Sequence, residues 1–432
     1  MFHLDQKNLW IGWILLFILI LIIFYLYQQS YIEPFSNASQ EYKNEQEYKD
    51  QVKIVNDKFE PTADSKRPVS DLLPTLKDMP ESQQLLINFY SLACRYPGYI
   101  GPIHEGYFDP DIGIKMSINA GCRTFVLDID YLDDCKGNEK YAYFPHLVVR
   151  DLEGRLRIKP SSNEPLCNSP THFNLQKICE KISYYAFADS CQQKDDPVII
   201  VLYFLRQPPG SYKSKTVLDY YSNVAKALSP FKNRLLTNEL IGGKYYRHQQ
   251  EGKLLINKIT DYNGKVLIFN NANTMGFTET QTYSPEEDLD FLTNLRLYYS
   301  QTRMGVTENG TGSMFGILQT ADDYMIIPND RKDQVLLDTK LRWTICLSSD
   351  PSKQVSKDVY QSVTSTFGVN CVPTILFDDN NNFMFTDSTF KKYAFMPKPL
   401  PLRYIKPPVV TPAEPNPSMD ARQGKLLSPS IP

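Results

Sequence analysis

None of the 8 cysteines forms a Cys-x-x-Cys pair, so a zinc knuckle or a thioredoxin-type site has no ligands to build on. The chain has no run of five or more Lys/Arg, and its formal net charge is −3. Both facts argue against a nucleic-acid surface and against a polybasic lipid-binding tail. Gly-x-Ser-x-Gly, His-Glu-x-x-His and phosphate-loop patterns are missing, which removes the support for three catalytic classes. No internal repeat is visible. Charge is also absent from one long stretch, residues 9–27, and there the absence is itself the signal.

A helix over 9–27 would rise ~28 Å at 1.5 Å per residue, close to the hydrocarbon thickness of a bilayer. Trp10 and Trp13 stand at one end and Tyr25 and Tyr27 at the other, the aromatic belt expected at the two interfaces. The run is longer than a signal-peptide core, and no small-x-small cleavage site follows it at once. Residues 1–28 are therefore expected to be a single-pass membrane anchor, with the lipid bilayer as a partner. Lys7 and the amino terminus precede the run, while Glu33 and Glu41 follow it before the first lysine, Lys43. This bias leans toward a cytosolic amino terminus and a body on the non-cytosolic side. The sequons at Asn37 and Asn309 fit that side. Ile32-Glu33-Pro34-Phe35 after the run resembles anchored membrane proteins of large DNA viruses, which implies a viral membrane.

Residues 29–69 are polar and charged and read as a tether. Residues 406–432 contain Pro407, Pro408, Pro412, Pro415, Pro417, Pro429 and Pro432, and such a segment builds neither sheet nor helix. Between them, residues 70–405 alternate strand-like with helix-like stretches. Apolar strands are expected at 124–129, 147–150, 197–205, 265–269, 341–347 and 372–377, and helices at 174–188 and 217–228. Continuous apolar strands separated by helices indicate a parallel sheet covered on both faces. Over this length the expectation is an α/β fold, a closed TIM-type (β/α)8 barrel. An open doubly wound sheet is the runner-up.

The strand at 124–130 ends in Asp128 and Asp130. Two apart, they share one face at the carboxyl end, where barrels place their sites. Two readings stand side by side: a divalent-metal or phosphate-chemistry cluster, or one structural carboxylate paired to an arginine such as Arg123 with the rest solvated. His104, before Glu105 in a Gly/Pro-rich loop, and His146, after Pro145, are candidate acid–base groups; a surface and a near-core histidine are the plainer readings. Cys122 and Cys371 read as small core hydrophobes. Cys135, Cys167, Cys179 and Cys191 could pair in an oxidising compartment.

Four segments, in order, carry a resemblance. The first is Gly121-Cys122-Arg123 through Leu127-Asp128. The second is Ile182 through Ser190, followed by the strand from Pro197. The third is Asn233 through Thr237, then Gly264-Lys265-Val266-Leu267-Ile268. The fourth is Phe367 through Val372, then Tyr393 through Arg403. Together they resemble the X and Y halves of the barrel of phosphoinositide-specific phospholipase C, over roughly residues 85–404. That family cleaves a phosphodiester with two histidines and a calcium ion held by Asn, Glu, Asp and Glu. The resemblance implies that fold and, as site residues, the matching positions of this chain. The first histidine falls near Tyr96 and the Asn ligand at Pro97. The first Glu ligand is Val126, and the Asp ligand is retained as Asp128. The second histidine falls near Arg150, and the last Glu ligand is Tyr203. The lysine near the end of the third segment's strand becomes Phe269 or Asn271.

A single carboxylate cannot hold calcium tightly or carry proton transfer. The expectation is thus a membrane-anchored phospholipase C-like barrel without catalytic activity and without a cofactor. It would act as a binding or structural module with a phospholipid or a protein as ligand. The alternative is an active phosphoric diester hydrolase with a rearranged calcium site, using Asp128 and Asp130 for metal and His104 or His146 as acid–base group. A third reading puts the function in the tether or the proline-rich tail.

Overall fold

The apolar runs at 124–129, 197–205 and 265–269 lie side by side. A computed structural model describes residues 19, 45–101, 106–133, 142–155, 158–160, 175–236, 247–280, 282–299, 315–376, 378 and 390–407. Five strands form one parallel ladder: β1 (Ala93–Arg95), β2 (Thr124–Asp130), β3 (Val198–Phe204), β4 (Val266–Asn270) and β5 (Leu295–Arg296), hydrogen-bonded in that order. The register sets Arg95 against Val126, Asp128 against Tyr203, and Val201 against Phe269. A second parallel ladder holds β6 (Tyr298–Tyr299), β7 (Gly316–Thr320) and β8 (Trp343–Leu347). Leu297 joins the two ladders, its N–H donating to Asn270 O at 2.7 Å.

The expected strand at 372–377 is reduced to single parallel bridges. Cys371 pairs with Ile345 on one side and Ser91 on the other, and Thr374 pairs with Cys94. Pro373 lies between them and has no N–H to continue a ladder. Among the described residues no continuous ladder closes the ring, but these bridges stand between β8 and β1. The short antiparallel strand His146–Leu147 lies on the carboxyl end of β2, in place of the expected 147–150.

Alternation sorts the strand side chains into two buried sets. Val126, Val201, Phe269, Leu318, Trp343 and Ile345 share one cluster. Phe125, Leu127, Ile200, Leu202 and Ile268 share another with the helices. Those helices include α1 (Pro110–Asn119), α2 (Leu175–Ala186) and α3 (Lys215–Ala227). Strands buried on both faces need near-continuous apolar sequence, which explains why β2, β3 and β4 were visible in it. Asp109 caps α1, accepting from the N–H groups of Asp111 and Ile112 at 2.9 and 3.1 Å, with Pro110 at the first helical position.

The folded body begins before residue 70. Residues 45–59 are helical and continue into a 3-10 turn, Glu60–Ser65. Val55 and Phe59 are buried in the helix-side core, and Val69 N–H donates to the buried Asp196 Oδ1 at 2.8 Å. Cys179 and Cys191 carry free thiols, as do Cys94, Cys122, Cys346 and Cys371; Cys135 and Cys167 lie outside the described residues. The proposed anchor, with Trp10, Trp13, Tyr25 and Tyr27, also lies outside them apart from Leu19. Among the described residues no helix is long and apolar enough to cross a membrane.

Candidate functional site

Asp128 and Asp130 share the inward face of β2 at its carboxyl end, 1% and 0% exposed. Carboxylates so deeply buried need partners. The neighbouring strand supplies one from Arg95, whose backbone opposes Val126 and whose side chain reaches one pair further. Arg95 Nε donates to Asp128 Oδ1 at 3.0 Å and Nη2 to Oδ2 at 2.6 Å. This is the two-pronged geometry in which guanidinium and carboxylate match best. The guanidinium, 4% exposed, lies 4.9 Å from the ring centre of Tyr96 and 5.9 Å from that of Tyr203. Burial lifts the Asp128 carboxyl above its ordinary range, against the field of Arg95.

Asp130 is held by two further arginines. Arg150 Nε donates to its Oδ2 at 2.7 Å, and Arg206 Nε to Oδ1 and Oδ2 at 2.9 and 3.0 Å. Tyr131 N–H adds a fourth contact at 2.8 Å. Arg206 also reaches Asp133 and the carbonyl of Tyr131. Arg150 is the residue aligned with the second histidine of the resembled family, and here it binds a carboxylate.

Val126, Tyr203 and Phe269, aligned with family functional positions, belong to one apolar cluster. Phe269 packs edge-on to Trp343, ring centres 4.9 Å apart. Asn271 exchanges two hydrogen bonds with the backbone of Phe204. Tyr96 is 1% exposed, and its hydroxyl donates to Pro351 O at 2.8 Å. Its φ of +59° is the one positive value at a non-glycine among the described residues, a left-handed conformation that costs about 1 kcal/mol or more. Pro97 follows it, buried and without a side-chain donor.

The two histidines differ. His104 lies outside the described residues. His146 opposes Asp130 in the antiparallel pair and is 1% exposed. Its ring meets Phe144 edge-on at 5.6 Å. Burial pushes its pKa down to about 4, so the imidazole is neutral near pH 7.

The pairing of a site carboxylate with Arg123 does not occur. Arg123 is fully buried and donates to Ala186 O at 2.8 Å, with Cys191 Sγ 3.2 Å from its other nitrogen. It lies five residues toward the amino end of β2, about 17 Å from Asp128 along an extended strand. Arg95 is the residue that sequence reasoning missed. The signal was that a buried carboxylate at a strand's carboxyl end calls for a cation on the adjacent strand end.

Calcium requires six to eight oxygen ligands. Both oxygens of Asp128 and both of Asp130 accept from guanidinium groups, and Val126 and Tyr203 offer no carboxylate. Among the described residues no group of three or more His, Cys, Asp or Glu gathers as a metal site. These residues do not fit a calcium ion. Cavities of about 540 and 650 Å³ lie elsewhere, the first beside Leu255, Phe315 and Tyr404, the second beside Lys226, Leu235 and Phe291.

No protein-family model matches the sequence, and no curated protein matches it. Solved structures do resemble the fold. PLC21 of L. pealei is 13% identical with a TM-score of 0.48, over 76% of this chain and 38% of its own. The chain thus spans well under half of that protein. A calcium-dependent phosphoinositol-specific phospholipase C from a Pseudomonas species is 13% identical with a TM-score of 0.41, over 73% and 96%. A Ca²⁺-dependent phosphatidylinositol-specific phospholipase C from Streptomyces antibioticus is 9% identical with a TM-score of 0.39, over 68% and 98%. At these identities the likeness concerns the fold alone.

Proposed function

We propose that this protein is a single-pass membrane protein whose body is a phospholipase C-like (β/α)8 barrel that does not hydrolyse phosphoinositides. It serves as a binding or structural module at a membrane, with a phospholipid or a protein as ligand. The bridges at Cys371 and Thr374 support ring closure between β8 and β1. The charge-free run at 9–27 supports the anchor, and the charge bias around it supports a non-cytosolic body.

The observation that carries the loss of activity is the fork between Arg95 and Asp128. The one ligand position that the family resemblance retains is occupied by a cation belonging to the chain itself. The rival reading, a rearranged metal site on Asp128 and Asp130, needs oxygens that are already engaged by three arginines. Val126 and Tyr203 put apolar packing where the family's carboxylates would bind a cation, and Phe269 packs where its lysine would stand.

The test uses the full chain in vesicles containing phosphatidylinositol and phosphatidylinositol bisphosphate, with calcium and with chelator. The expected result is no release of inositol phosphate above the protein-free rate. Calcium-dependent release that Asp128→Ala abolishes overturns the proposal.

A further inference from the structure

The cavity of about 540 Å³ lies at the amino ends of the strands. Phe315 and Arg342, which line it, immediately precede β7 and β8, and Trp343 N–H donates to Phe315 O at 2.8 Å. Two helices end beside it, α4 (Arg247–Ile256) and α5 (Lys332–Leu341). This end is opposite to the one that bears Asp128 and Asp130, and the cavity shares no residue with that site.

The walls are apolar from the interior outward. Ile87 and Leu255 are each 1% exposed. Ile256, Phe315 and Tyr404 are half-buried, and Leu341, the last residue of α5, is 45% exposed. Gly252 stands inside α4, where glycine is unfavourable in a helix. A Cβ there would come 3.0 Å from the tip of the Phe315 ring, so the glycine lets that ring approach the helix backbone. The volume falls within the range of about 300–1,000 Å³ that holds a small molecule.

The charged residues lining the cavity are all cations: Lys253, Lys340 and Arg342. Lys253 is exposed, and the other two are half-buried. Arg342 pairs with Asp338 at 3.0 Å. Among the described residues Lys253 and Lys340 have no acid at ion-pair distance. Both lysines stand in the last turn of their helices, where a cation complements the helix dipole. Each helix end amounts to about half a negative charge. With Asp338 the two ends offset two of the three cations, and one positive charge remains. An apolar cavity with that remainder at its rim matches an acyl chain bearing a single negative charge. A phosphomonoester head would bring about −1.5 to −2, more than the rim balances.

We propose that this cavity binds a free fatty acid, its chain against Leu255, Ile256 and Phe315 and its carboxylate between Lys253 and Lys340. The site goes beyond the function proposed above, and it depends neither on the loss of hydrolysis nor on the anchor.

The experiment incubates the full chain in phosphatidylcholine vesicles with hexadecanoic acid carrying a diazirine in its chain. After irradiation the adducts are mapped by mass spectrometry. They are expected on residues 253–256, 315 and 340–342, at a yield at least about fivefold that on the exposed Leu152 and Ile326. Excess dodecanoic acid should suppress them, whereas its methyl ester, which has the chain without the charge, should not. Lys253→Gln with Lys340→Gln should lower the yield about fivefold or more, and Lys253→Arg with Lys340→Arg should keep it. Circular dichroism confirms that both double variants are folded, which their exposed and half-buried positions favour. Adducts elsewhere with none on these residues, or equal yields at Leu152 and Ile326, overturn the proposal. Equal suppression by the ester, or an undiminished yield in the folded glutamine variant, overturns the recognition of a carboxylate. Release of inositol phosphate is measured separately, so either proposal can fail without the other.

Discussion

Arg95 and Asp128 meet through two hydrogen bonds, Nε to Oδ1 at 3.0 Å and Nη2 to Oδ2 at 2.6 Å, with both side chains under 5% exposed. Removing one partner strands the other. Arg95→Met is expected to destabilise the fold by about 3–5 kcal/mol, because it leaves a buried carboxylate without its cation. The double variant Arg95→Met with Asp128→Leu should recover most of that loss. Urea unfolding of the single and double variants measures both. A double variant no more stable than Arg95→Met would show that the fork is not an isolated pair.

Gly113 lies within α1 where a Cβ would come 2.6 Å from the backbone of Gly98. Helix propensity alone favours Gly113→Ala by about 1 kcal/mol. The close approach outweighs that, since overpacking costs about 1–3 kcal/mol and the atoms met are the backbone of Gly98, not the end of a movable side chain. The expected outcome is a lower melting temperature for Gly113→Ala, read by thermal unfolding.

Two buried groups give opposite pH dependences. Burial lowers the His146 pKa to about 4. The unfolded chain binds that proton near pH 6.5, so stability is lost as pH falls from about 6.5 to 4. Burial raises the Asp196 pKa to about 7, against the fields of Arg123 and the Val69 N–H. The unfolded chain releases that proton near pH 4, so stability is lost as pH rises from about 4 to 7. Each contribution is roughly 3–4 kcal/mol at most, from about 1.4 kcal/mol per pH unit. They nearly cancel between pH 4 and 6.5. Asp196→Asn keeps an acceptor for Val69 and should expose a stability that rises with pH across that window. His146→Phe should expose one that falls. Denaturant midpoints at half-unit pH steps check the signs.

Phe59 is 1% exposed and joins the helix-side core. Phe59→Ala should cost about 3–5 kcal/mol if residues 45–65 unfold together with the body. Hydrogen exchange offers the finer reading: protection should fall over 45–65 and α1 alike. Loss confined to 45–65 would mean that the segment detaches by itself.

Much of the sheet was legible. β2, β3, β4 and β8 are runs of apolar residues buried on both faces, and such runs announce themselves. β1, β5, β6 and β7 did not, because each is short or carries Arg, Gln or Thr among its residues. The expected strand at 372–377 failed at Pro373. The amino-terminal boundary differed because the polar composition of 41–49 masked Val55 and Phe59, two apolar residues one helical turn apart that are sufficient to dock the helix.

The sequence by itself determined the alternation of strand and helix and the position of Asp128 and Asp130 on one strand end. Those follow from local period and residue identity. Only the tertiary structure decided who pairs with whom. Arg95, Arg150 and Arg206 come from separate segments, and no spacing along the chain marks them as partners of those two carboxylates. Register between β1 and β2 brings Arg95 to Asp128, where the guanidinium offsets the cost of burying that carboxylate.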